Sequence, residues 1–136
     1  VLNNCKEVDV CVLGEGEETV LELIAAFVEG RSFSDVAGLM IRENGRNERT
    51  GRRRRIRQID DIPEPLWEIF PVEEYIDNAY THGSNLGRCM PIMASRGCPY
   101  ACTFCSSPQM WTRKWNVREP KAVLAEMKKY INLSIF

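Results

Sequence analysis

The chain has 136 residues, 44% hydrophobic and 27% charged, with a formal net charge of −1, which suits one modest globular domain or pieces of two. This balance gives no global case for a nucleic acid or an anionic membrane surface as partner. No apolar run approaches the roughly 20 residues a membrane-spanning helix needs. The N-terminus, VLNNCKEVDV, lacks the basic-then-apolar order of a signal peptide. Of the six cysteines, three are crowded and three scattered, unlike a secreted disulfide framework, so the expected compartment is the reducing cytoplasm. The chain starts at Val1 rather than methionine and stops in INLSIF, an apolar run that opens like a strand. The expectation is a fragment, inactive alone, with part of any site elsewhere.

In chain order, Val8 to Leu13 (VDVCVL) predicts a short buried strand. Gly14-Glu15-Gly16-Glu17 then makes a tight turn into a helix whose apolar face is Val20, Ile24, Phe27 and Val28, widened by Leu21 and Leu23 and closed by Gly30. Strand, glycine turn and helix form an α/β unit with a ligand-facing loop at the strand's carboxyl end. A second strand is expected from Gly38, a hairpin turn at Asn44-Gly45, and a return strand through the arginine-rich segment. DDIPEPLWEIFP, with Pro63, Pro65 and Pro71, suits an extended linker. Residues 72–88 offer one short helix. MPIMA (90–94) predicts a second buried strand, and Pro120 suits the first turn of a helix from about Glu119 to Ile131 with a Val123, Leu124, Met127, Ile131 stripe.

The stretch SRGCPYACTFC, 95–105, places Cys98, Cys102 and Cys105 at C-x3-C-x2-C spacing. Thiolates suit iron–sulfur clusters, and three from one loop can hold three corners of a cubane, leaving one iron open. The competing reading is a structural Cys3His zinc site with His82, which lies 16 residues upstream in a turn-like segment. Zinc ligands usually come as separated pairs, and the single loop favours the cluster. Cys5, Cys11 and Cys89 read as buried small apolar residues. The run Arg52 to Arg55, with Arg57, reads as a solvated hairpin face, because Asp60, Asp61 and Glu64 neutralise it and no aromatics interleave for base stacking.

With these residues in view, the chain resembles the radical SAM superfamily. Cys98, Cys102 and Cys105, with Phe104 before the third cysteine and Arg96, Gly97 and Pro99 completing its RGCP form, match that family's motif. The resemblance implies a [4Fe-4S] cluster on the three cysteines, S-adenosylmethionine on the open iron, and Phe104 beside the adenine. GEGEETVLELI is similar to the last strand, turn and helix of the cobalamin-binding domain that precedes the barrel in B12-dependent members, and "DDIPEP" occupies the same place in the order. This implies cobalamin as a further cofactor, with Gly14, Glu15 and Gly16 as candidate contacts. The D-x-H-x-x-G motif, whose histidine ligates cobalt in many such domains, is absent.

The fold class expected is α/β. Residues 1–59 would be the tail of a Rossmann-like cobalamin-binding domain with a β-hairpin, 60–88 a proline-rich linker, and 89–136 the first βα unit of a partial (β/α) radical SAM barrel. The resemblance implies radical methylation or ring formation on a small-molecule substrate, with an external reductant such as ferredoxin or flavodoxin and no nucleic-acid partner. The alternatives are a radical SAM methylthiotransferase acting on tRNA or protein, and a non-enzymatic zinc-binding module.

Overall fold

A computed structural model describes residues 1–78, 80 and 87–132. The chain divides into two compact units. The first joins Val1–Arg57 to Gly97–Trp115; the second joins Gln58–Arg96 to the segment from Asn116 onward. No described helix is long and apolar enough to cross a membrane.

In the first unit, β1 (Val10–Val12), β2 (Leu39–Glu43) and β3 (Arg46–Arg49) form an antiparallel sheet in that order, in register at Cys11–Met40 and Ile41–Glu48. The two-residue turn between β2 and β3 needs positive φ at both positions, and Asn44 (φ 49°) and Gly45 (φ 75°) supply it. Helix α1 (Glu17–Glu29) follows the GEGE turn and ends at left-handed Gly30 (φ 67°). Its buried face is not the expected one. Thr19 and Ala26 are fully buried, and Leu23 packs on the core of Val36, Leu39 and Ile41. Val20, Leu21, Ile24, Phe27 and Val28 are exposed. The helix is apolar on both sides, and small side chains at 19 and 26 let it lie close on the sheet. Each large buried side chain of this small core contributes about 2 kcal/mol.

The return strand ends at Arg49, before the arginine run. Residues 52–55 alternate in exposure, with Arg53 and Arg55 half-buried and Arg52 and Arg54 exposed. Arg53, 14% exposed, donates to Glu22 Oε1 at 2.9 Å and to the Ala37 carbonyl at 3.3 Å. Its hydrogen bonds hold the Glu22 carboxyl below the usual range. The solvated-face reading therefore fails for half of the run, because Glu18 and Glu22 on α1 pair with Arg53 and Glu15, in the turn before it, lies beside Arg55.

In the second unit, helix α2 (Val72–Asp77) precedes the short antiparallel pair β4 (Ser95–Arg96) and β5 (Asn116–Val117) and helix α4 (Pro120–Asn132); α3 (Ser107–Met110) lies between β4 and β5 in sequence but within the first unit. The strand expected at MPIMA does not form; only Ser95–Arg96 pair. Pro91 lacks a donor, and an isolated strand has no ladder to hold it. The stretch expected to be an extended linker contains two 3-10 turns, Ile59–Asp61 and Trp67–Ile69, tied to α4. Asp60 accepts from Glu119 N–H at 2.8 Å at the start of that helix, and Trp67 Nε1 donates to the Tyr130 hydroxyl at 2.8 Å.

The buried face of α4 is also not the expected stripe. Glu126 and Tyr130, one turn apart, are buried, while Leu124, Met127 and Ile131 are exposed. Polar groups go inside here because they are satisfied there: Tyr130 donates to Glu126, which also accepts from Arg118. Residues 81–86, which include His82, and the last four residues lie outside the described residues.

Candidate functional site: the cysteine loop

Arg96 pairs with Asn116, so the cysteine loop leaves and rejoins the strand pair at neighbouring points. Cys98 is half-buried, and Cys102 and Cys105 are exposed; all three thiols are free. Cys105 N–H donates to the Cys102 carbonyl at 3.1 Å, closing a tight turn that carries the second and third cysteines together. Ser107 N–H points at Cys105 Sγ at 3.4 Å. Phe104, on the same turn, is 91% exposed. Among the described residues no three His, Cys, Asp or Glu side chains converge at metal-ligand spacing. A metal held by all three thiolates therefore requires their side chains to turn toward one another.

The base of the loop is built more firmly than its tip. Gly97 has φ 81°, and a Cβ there would overlap the Lys114 carbonyl oxygen and lie 3.1 Å from both terminal nitrogens of Arg55. Only glycine fits. Arg55 donates to the Lys114 carbonyl and lies 3.5 Å from Thr112 Oγ1. Arg113 Nε donates to the Pro99 carbonyl at 2.9 Å, bracing the start of the loop from its far side.

The GEGE turn, distant in sequence, lies in the same unit. A Cβ at Gly14 (φ 81°) would sit 3.5 Å from the Met110 carbonyl, on the short helix after the cysteines. Glu15 is buried; its carboxylate accepts from Ile56 N–H at 2.7 Å and lies 3.7 Å from Arg55 Nε. A Cβ at Gly16 would meet only Val12 and Val20 side chains, at 3.7 and 4.0 Å. The structure thus brings the two candidate stretches, 14–16 and 98–105, into one compact unit. The residues that reasoning from sequence missed are Arg55 and Thr112. The signal available was an arginine run and, elsewhere in the chain, an acidic turn.

Of the other cysteines, Cys89 is exposed rather than buried, and Cys5 and Cys11 are half-buried. Cys5 Sγ lies 3.4 Å from Glu7 in a surface turn. Cys89 sits in a segment without a strand to bury it.

No protein-family model matches the chain. An uncharacterized methyltransferase of Pyrococcus horikoshii is 32% identical over 126 residues, covering 93% of this chain and 26% of that protein. The anaerobic magnesium-protoporphyrin IX monomethyl ester cyclase of Cereibacter sphaeroides is 35% identical over 136 residues, covering 97% of this chain and 21% of the cyclase. Among solved structures, the radical S-adenosylmethionine methyltransferase TsrM of Kitasatospora setae, with cobalamin and a [4Fe-4S] cluster bound, superposes with a TM-score of 0.59 at 23% identity. That superposition covers 93% of this chain and 25% of TsrM. The chain is thus similar in sequence to a methyltransferase and a cyclase, and in fold to a radical S-adenosylmethionine methyltransferase. The likeness runs along nearly the whole chain, which spans about a quarter of the length of the relatives it matches. The mixed α/β fold agrees with that of TsrM over this stretch.

Proposed function

We propose that this chain carries the cofactor-binding opening of a cobalamin-dependent radical SAM enzyme. In this reading Cys98, Cys102 and Cys105 hold a [4Fe-4S] cluster whose fourth iron takes S-adenosylmethionine. The observation that carries it is the loop itself: three free thiols, two of them on one tight turn, in a chain similar along nearly its whole length to the cyclase and, in fold, to TsrM. A donor set of thiols alone fits iron–sulfur ligation. When bound, the cluster supplies an electron to the sulfonium of S-adenosylmethionine, and cobalamin serves as a methyl carrier.

The chain's own residues do the holding. The three thiols bind as thiolates, and Ser107 N–H, already directed at Cys105 Sγ, donates to a ligand sulfur and steadies it. Phe104 offers an exposed ring beside the third ligand, able to cover the adenine and exclude water. In the GEGE turn the Glu15 carboxylate is engaged with Ile56 and Arg55, so Gly14 and Gly16 offer cobalamin their backbone rather than a side chain. The reaction class is methylation or ring formation on a small molecule, by analogy with the methyltransferases and cyclases it resembles. An external reductant such as ferredoxin or flavodoxin would recharge the cluster, in the cytoplasm.

The test uses the full-length protein with its cluster reduced. It should cleave S-adenosylmethionine to methionine and 5'-deoxyadenosine, or consume it as a methyl donor. Phe104→Ala should weaken S-adenosylmethionine binding about tenfold, the loss expected when part of an aromatic contact is removed, with iron content unchanged. An intact, reducible cluster that neither binds nor turns over S-adenosylmethionine would end the proposal.

A further inference from the structure

We propose that Arg55 is a positioning residue for the cysteine loop, with Glu15 as its anchor. One guanidinium reaches both ends of the loop. At the near end its terminal nitrogens fill the space beside Gly97, immediately before Cys98; at the far end it donates to the Lys114 carbonyl and approaches Thr112 Oγ1. Behind it stands the Glu15 carboxylate, 3.7 Å away and itself fixed by Ile56 N–H. The two side chains are 15% and 5% exposed, so water screens the pair only partly.

The backbone supplies an independent sign that this end of the loop is held under load. Thr112 has φ 64°, in the left-handed region that a β-branched residue rarely adopts. Such a conformation persists only where its surroundings over-determine it. Thr112 Oγ1 accepts from Lys114 N–H at 3.3 Å, and Arg55 holds the Lys114 carbonyl from the other side. Arginine suits the task because its planar fork presents several donors in fixed directions, which a lysine cannot do. At the tip, Cys102 and Cys105 are exposed. The strut therefore sets where the loop starts and ends, and through that how Cys98 is presented relative to Cys102 and Cys105.

The consequence for a cluster rests on the cysteine-ligand reading proposed above, so the test has one arm that does not depend on it. In metal-free full-length protein, alkylation of each cysteine is followed by peptide mass mapping for the parent, Arg55→Met, Arg55→Lys, Glu15→Gln and Arg54→Met. Arg55→Met should make Cys98 react roughly tenfold faster, as loss of a charge-assisted hydrogen bond from a local opening equilibrium would do. Arg55→Lys should fall between it and the parent, Glu15→Gln should show a smaller acceleration, and Arg54→Met, at an exposed position, should match the parent. Cys11, in β1 of the same unit, reports general loosening and should keep its rate. An unchanged Cys98 rate in Arg55→Met, parallel acceleration of Cys98 and Cys11, or an equal effect from Arg54→Met would each overturn the proposal.

In anaerobically reconstituted protein, Arg55→Met should alter the electron paramagnetic resonance spectrum of the reduced cluster, with Arg55→Lys nearer the parent; a spectrum identical to the parent's would count against the strut. A parent protein that takes up no iron would instead break the cluster reading, while the alkylation arm still judges the strut.

Discussion

Arg55 in the first unit and Arg118 in the second are equally shielded, with side chains 15% and 14% exposed, yet they are tied to different things. Arg118 donates to Asp60 at 3.1 Å, to the Met93 carbonyl at 3.2 Å and to Glu126, which also accepts from fully buried Tyr130. Its partners are helix, turn and core. Arg55, backed by Glu15, donates to the backbone of the cysteine loop at Lys114. The same chemistry therefore serves stability in one place and site geometry in the other. Which it serves is decided by whether the acceptor lies in a packed element.

The largest effect expected from this contrast is at Glu126. Glu126→Ala leaves the Tyr130 hydroxyl and one side of Arg118 without their acceptor, and should cost about 3 kcal/mol, read as a lower urea midpoint by tryptophan fluorescence. Glu15→Gln should barely move that midpoint while changing Cys98 reactivity. If the two substitutions had equal effects on stability, the contrast would be lost.

A pH scan sharpens it next, because the two members of the Glu126–Tyr130 pair are shifted in opposite directions. Burial, then the hydrogen bond with Glu126, pushes Tyr130 up to about 12 from its ordinary 10.0. A raised folded value means that this contribution is intact below pH 10 and lost as pH rises toward about 12. Burial works against the charge on Glu126, but the hydrogen bonds from Tyr130 and Arg118 outweigh it and hold the carboxyl below its usual value. Its contribution is then present above the usual carboxylate range and lost as pH falls through the lowered value. Tyr130→Phe should flatten the alkaline limb of the stability profile and leave most of the acid limb. An alkaline limb unchanged by Tyr130→Phe would show that the loss arises elsewhere.

Local signals carried much of the fold. The Asn44-Gly45 turn, the helix closed by Gly30 and the helix begun at Pro120 all stand where short-range chemistry predicted them. What failed was the choice of buried face. On α1 the apolar residues outnumber the places available, and Thr19 and Ala26 go inward. On α4 two polar residues go inward because Arg118, just ahead of the helix, and Trp67, 63 residues away in sequence, satisfy them. Periodicity cannot see partners 60 residues away. The strand at MPIMA failed for the same reason, since a strand needs a neighbour that composition does not name.

At the site, the three cysteines and Phe104 were legible as a motif, because ligand spacing is a local property. The strut was not. Arg55 sits in a run of like charges, and only the alternation in exposure separates it from Arg54. Glu15 stood out as part of a possible ligand turn, whereas the structure shows its side chain bound to Ile56 and Arg55.

The central claim is that Cys98, Cys102 and Cys105 together hold a cubane cluster. Its most direct test is iron and sulfide content after anaerobic reconstitution of the full-length protein, for the parent and for alanine at each of these three positions and at Cys11. The expected result is about four irons and four sulfides per chain in the parent and in Cys11→Ala, with near-complete loss in each of the other three variants, since two protein thiolates do not hold a cubane firmly. One zinc per chain with no iron uptake, or full iron in any one of the three loop variants, would contradict it.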